Sequence, residues 1–86
     1  MTPAEILEYV AKHFGLTPGD ITSRHRSPKL ARARRVATLL LVGDGLTRLQ
    51  TAHELTVGHN AIYRWLAEVG PRDEEAAAAV LAEMGQ

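Results

Sequence analysis

Cysteine is absent from all 86 residues, which excludes a disulfide framework, a cysteine-ligated zinc site and thiol catalysis together. Aromatics make up 5% of the chain, with one Trp and one Phe, so the core must rest on aliphatic packing. No apolar run approaches the roughly 20 residues of a membrane helix, and the N-terminus lacks a basic segment followed by an apolar signal core. A cytoplasmic protein without membrane contact is expected. A Gly-x-x-x-x-Gly-Lys-Ser/Thr phosphate loop is also missing, so no nucleotide-driven engine is expected. The four histidines, His13, His25, His53 and His59, are scattered, and His53 and His59 lie across a turn rather than four apart on one helical face. Ser23 and Ser27 have no Asp–His partners at a recognisable spacing. Neither a metal, a cofactor nor an enzymatic activity is expected.

What is present is a chain of the size and composition of one soluble globule, 45% hydrophobic and 23% charged. Ten Lys and Arg balance ten Asp and Glu, and the resulting zero net charge taken alone argues against a nucleic-acid partner. Their distribution argues the reverse. Arg24, Arg26, Lys29, Arg32, Arg34 and Arg35 fall within twelve positions, no acid occurs from Ile21 through Gly43, and Asp73, Glu74, Glu75 and Glu83 collect near the C-terminus.

Thr2-Pro3-Ala4-Glu5 combines a capping hydroxyl, a proline suited to the first helical position and an acid able to bond back, so a helix starts there. Ile6, Leu7, Val10 and Phe14 give it one apolar face, and Gly15 stops it. Thr17-Pro18-Gly19-Asp20 repeats the start signal for a short second helix with Leu16 and Ile21 turned inward. Ser23-Arg24-His25-Arg26-Ser27 offers nothing apolar to bury and reads as an exposed basic loop. Ser27 then caps a third helix whose stripe of Leu30, Ala33, Ala37, Leu40 and Leu41 suits a core position, ended by Gly43-Asp44-Gly45. On its other side Arg34, Arg35 and Thr38, with Arg32 at the margin, are expected to form a positive outer face. A fourth helix is expected from about Thr47 to Glu54, a fifth from His59 to Val69, and a sixth, alanine-rich and acidic at its start, over 71–85. No strand pattern appears. The fold class expected is all-α, a compact bundle of about six helices in one domain spanning 1–86.

Residues 47–69 carry the helix-turn-helix spacing: Ala52 is small enough for a tight crossing, Leu55 and Val57 flank the turn, and Ile62 and Trp65 point back into the angle. Asn60, Ala61, Arg64 and Ala67 then face outward, with His59 and Tyr63 at one edge. These side chains suit base edges, Asn for adenine, Arg for guanine and alanine for a thymine methyl. Asn60 and Arg64 are the expected readers. The basic block and Arg48 would supply phosphate contacts, while Arg24 and Arg26 are placed to reach a narrow minor groove.

With loop, third helix and helix-turn-helix in order, residues 4–70 resemble the C-terminal DNA-binding domain of the bacterial replication initiator DnaA, a Trp-repressor-type helix-turn-helix. The resemblance is carried by Val10-Ala11-Lys12-His13-Phe14 in the opening helix, by Ser23-Arg24-His25-Arg26-Ser27, and by Ala31-Arg32-Ala33-Arg34. It implies Arg26 in the minor groove and Arg32 and Arg34 on phosphates. The family's Gly-Arg-Asp-His-Ser/Thr-Thr-Val hallmark is replaced by Thr56-Val57-Gly58-His59-Asn60-Ala61-Ile62, which implies a different target sequence.

The function expected is sequence-specific binding of double-stranded DNA by a bacterial or phage-type, nucleoid-associated transcription regulator. The DNA-binding residues expected are Arg24, Arg26, Lys29, Arg32, Arg34, Arg35, Arg48, His59, Asn60, Ala61, Tyr63 and Arg64. The alternative is an adaptor that binds a protein of the replication or transcription machinery through the C-terminal helix.

Overall fold

Each of the four prolines opens a helix, where its missing N–H and fixed φ cost nothing. The computed structural model describes residues 1–85, and within them lie six helices: α1 (Pro3–Phe14), α2 (Pro18–Thr22), α3 (Pro28–Gly43), α4 (Arg48–Leu55), α5 (His59–Glu68) and α6 (Pro71–Met84). No strand occurs among the described residues. Thr2, Thr17 and Thr47 each accept from the N–H three residues on, while Glu5, Asp20 and Gln50 reach back to the capping residue's own N–H. Ser27 caps α3 through the Leu30 N–H. Gly15 ends α1 at φ 69°, the left-handed backbone for which a residue without Cβ is suited.

α3 is the axis of the molecule. It packs against α1, α2, α4, α5 and α6, which explains why Ala33, Val36, Ala37 and Leu41 are fully buried although they do not share one narrow stripe. Val10 and Ala11 of α1, Ile62 of α5 and Val80 of α6 close around it. This packing corrects the outer face expected for α3. Thr38 is fully buried, with its hydroxyl donating to the Arg34 carbonyl at 2.8 Å, and Arg34 is 9% exposed. A helix enclosed on so many sides leaves no room for a solvated cationic stripe.

α4 and α5 cross over a tight turn. The left-handed residue is Thr56, at φ 60° and ψ 44°, while Gly58 keeps an ordinary φ of −73°. Thr56 and Val57 N–H groups tie back to the Ala52 carbonyl, so the turn wraps closely over that buried alanine. A β-branched residue in this backbone region is strained. Thr56→Gly is therefore expected to raise stability by about 1 kcal/mol, seen as a melting midpoint higher by about 4–8 °C. An unchanged or lower midpoint would mean the turn stores no strain.

Candidate nucleic-acid interface

The basic loop is built from below by Arg34. Its Nε donates to the Ile21 carbonyl at 2.9 Å and its terminal nitrogen to the Ser23 carbonyl at 2.8 Å, with a longer contact to the Asp20 carbonyl at 3.5 Å. These are carbonyls left over where α2 ends, so a buried guanidinium caps that helix and fixes the root of the loop. Ser23 adds a hydroxyl bond to the Asp20 carbonyl at 2.7 Å. Burial lowers the Arg34 pKa from its usual value, and repulsion from the Arg26 charge lowers it further. Beyond this anchor Arg24, His25 and Arg26 are exposed.

Arg35 is withdrawn as well. Its Nε donates to Asp73 at 2.8 Å, and Arg32 approaches the same carboxylate at 3.9 Å while lying over the Phe14 ring at 5.5 Å. Asp73 is 4% exposed and also accepts from the Gly70 N–H. Asp73, one of the acids at the start of the last helix, is thus a buried counter-ion for the basic block. The overall charge balance hides a division: Arg32, Arg34 and Arg35 bind within the fold, whereas Arg24, Arg26, Lys29, Arg48 and Arg64 are exposed.

The loop and the outward side of α5 border one groove of about 510 Å³. Arg24 and Arg26 line it from the loop, Ala31 and Arg34 from α3, and Ala61, Arg64 and Trp65 from α5. His59, Asn60, Tyr63 and Arg64 are exposed on α5, and Ala61 is half-buried. Arg48 of α4 lies over the Tyr63 ring at 5.0 Å, and His59 meets that ring edge-on at 6.3 Å, so one margin of α5 is an ordered cationic–aromatic edge. Arg64 has an exposed neighbour in Glu68, at 3.7 Å one turn on. Glu68 lines the groove and was not among the residues expected there, although its four-residue spacing from Arg64 is visible in the sequence. α5 begins at Gly58 with no side-chain cap among the described residues and no acid in its first turn, which leaves its positive end open to an anion.

Trp65 departs from its expected full burial. It is half-buried, packed on the core at one edge and lining the groove at the other. Trp65→Ala is accordingly expected to cost about 2 kcal/mol, below the roughly 3–5 kcal/mol of a fully enclosed aromatic. Chemical denaturation measures this, and a loss of 4 kcal/mol or more would place the whole ring in the core.

Among the described residues no group of His, Asp and Glu is arranged to hold a metal ion, and no helix is long and apolar enough to cross a membrane. The chain belongs to the bacterial DnaA protein helix-turn-helix family, whose defining pattern matches residues 3–48. That span covers α1, α2, the basic loop, α3 and the first residue of α4, and it ends before the helix that carries Asn60 and Arg64. Membership indicates DNA binding. Neither the curated proteins nor the solved structures give a match.

Proposed function

We infer that this member of the DnaA helix-turn-helix family binds double-stranded DNA sequence-specifically as a bacterial or phage-type transcription regulator associated with the nucleoid. In this reading α5 enters the major groove and Arg26 of the basic loop reaches the adjoining minor groove. Asn60 and Arg64 read base edges, Ala61 offers a methyl-sized contact, and His59 and Tyr63 border them. Arg24, Lys29 and Arg48 hold phosphates. Arg34 and Arg35, expected from the sequence as direct contacts, act beneath the surface, and Arg32 contributes from its margin.

The observation that carries the reading is the shared groove: the basic loop and the outward side of α5 are far apart in sequence yet line the same opening, with the cations of both exposed. A duplex recognised in two adjacent grooves needs that juxtaposition. The withdrawal of Arg34 and Arg35, with Arg32 at the margin, also leaves a defined set for the polyanion.

Titration with duplexes selected from a random library tests this, and the sole tryptophan, lining the groove, supplies an intrinsic fluorescence signal. The five exposed cations of this interface, Arg24, Arg26, Lys29, Arg48 and Arg64, set an upper slope of log K against log salt of about −4.5, and about −3 is expected if Arg26 and Arg64 serve the grooves rather than phosphates. Arg26→Ala and Arg64→Ala are each expected to weaken the selected site by about tenfold or more. Asn60→Ala is expected to change the selected sequence more than the total affinity. No duplex binding at low salt, or a slope flatter than about −1, would overturn the reading.

A further inference from the structure

A second groove lies at the other end of α3. It has a volume of about 550 Å³ and is bounded by Ile6 of α1, Leu39 and Leu40 of α3, and Ala77, Leu81 and Met84 of α6. Ala31 and Arg34, near the start of α3, line the cationic groove, whereas Leu39, Leu40 and Gly43, near its end, and the following Asp44 line this one. The C-terminal helix accounts for the difference between its two sides. Ala76, Ala77 and Val80 are buried against the core, while Ala78 is exposed and Leu81 is 55% exposed at the lip.

Two of the four exposed large hydrophobic residues among those described, Met1 and Leu81, sit at this opening. The ionisable side chains that line it are Asp44 and Glu74, both exposed acids, and neither is ion-paired among the described residues. An apolar trough with two unpaired carboxylates at its rim selects a ligand that is apolar along one face and cationic beside it. A second copy of the chain docked symmetrically here would set Asp44 and Glu74 against the same acids, a like-charge arrangement that disfavours it. A nucleic acid or an anionic membrane is disfavoured by the same charges.

We propose that this groove receives an amphipathic helix of a partner protein, with apolar anchors about one turn apart and Lys or Arg flanking them. Leu81 and Met84 form one wall, Leu39 and Leu40 the floor, and Asp44 and Glu74 fix the cations. Because the two grooves lie at opposite ends of α3, a duplex on one leaves the other open.

The test uses the full chain and two synthetic amphipathic helices with the same spaced leucines, one with lysine and one with glutamate at the flanking positions, followed by calorimetry and sedimentation. The lysine peptide is expected to saturate at one equivalent, to bind at least about tenfold more tightly than the glutamate peptide, and to bind equally with duplex present. Leu81→Asp should weaken it about tenfold or more, and Asp44→Lys combined with Glu74→Lys should reverse the preference between the peptides. All three positions are exposed, and unchanged melting curves establish that the fold is intact. Equal affinity for the two peptides, no effect of Leu81→Asp, or a dimer of the chain that Leu81→Asp converts to a monomer would each overturn the proposal.

Discussion

Asp73→Ala is expected to reduce the free energy of unfolding by about 3–5 kcal/mol, a large part of the stability of a chain this short. The carboxylate accepts from Arg35 at 2.8 Å and from the Gly70 N–H at 3.1 Å, and Arg32 stands at 3.9 Å. Its removal leaves the mostly buried Arg35 guanidinium without a counter-ion and uncaps the start of α6, so two desolvated groups lose their partner at once. Asp73→Asn keeps the shape and part of the hydrogen bonding, and is expected to lose less. Acid gives an independent readout. Burial pushes the Asp73 carboxyl upward, but the Arg35 hydrogen bond, the Gly70 N–H and the charges of Arg35 and Arg32 together hold it below the ordinary value of 3.8. A carboxyl lowered by folding contributes its full stabilisation above the unfolded value and loses it as the pH falls through the folded one. The gap between the wild type and Asp73→Asn should therefore be constant near neutrality and shrink below about pH 4. A loss under 1 kcal/mol in Asp73→Ala, or a gap that does not close in acid, would show that the ion pair does not hold α6 to α3.

The features legible in the sequence were those decided within a few residues. The caps at Thr2, Thr17 and Ser27, the prolines at helix starts and the left-handed Gly15 all depend on groups three or four positions apart, where chemistry alone fixes the outcome. The outward set on α5 was legible for a related reason: Ile62 marks the buried side, and helical periodicity then assigns Asn60 and Arg64 to the other. What failed was the sorting of the arginines. Arg34 and Arg35 follow each other in the sequence, yet one turns to carbonyls 11 to 14 residues earlier and the other to a carboxylate 38 residues later. Which side of α3 each faces depends on five helices packed around it, and no local pattern carries that. Thr56 shows the same limit at short range: the left-handed residue of the turn between α4 and α5 is a threonine, and no glycine marks that position.

The fate of Arg34 joins fold to site, and its replacement tests the connection. Arg34→Met fills a similar space without donors and is expected to cost about 2–4 kcal/mol, because the Ile21 and Ser23 carbonyls lose charge-assisted bonds in a partly enclosed setting. Arg34→Lys should recover part of that, since one ammonium reaches these carbonyls less well than a planar fork does. Duplex affinity then separates two roles for Arg34. If it serves the fold alone, a variant kept folded by low temperature binds as the wild type does. If it positions the basic loop, folded Arg34→Met binds at least about tenfold more weakly than the wild type. Its salt slope also becomes flatter, because Arg24 and Arg26 no longer meet the duplex together. The second result is expected, since the bond to the Ser23 carbonyl is the inner attachment of a loop whose following residues are exposed. Equal affinity and slope in the folded variant would reduce Arg34 to a cap on α2. The basic loop would then have to be held by Ser27 and the first turn of α3 alone.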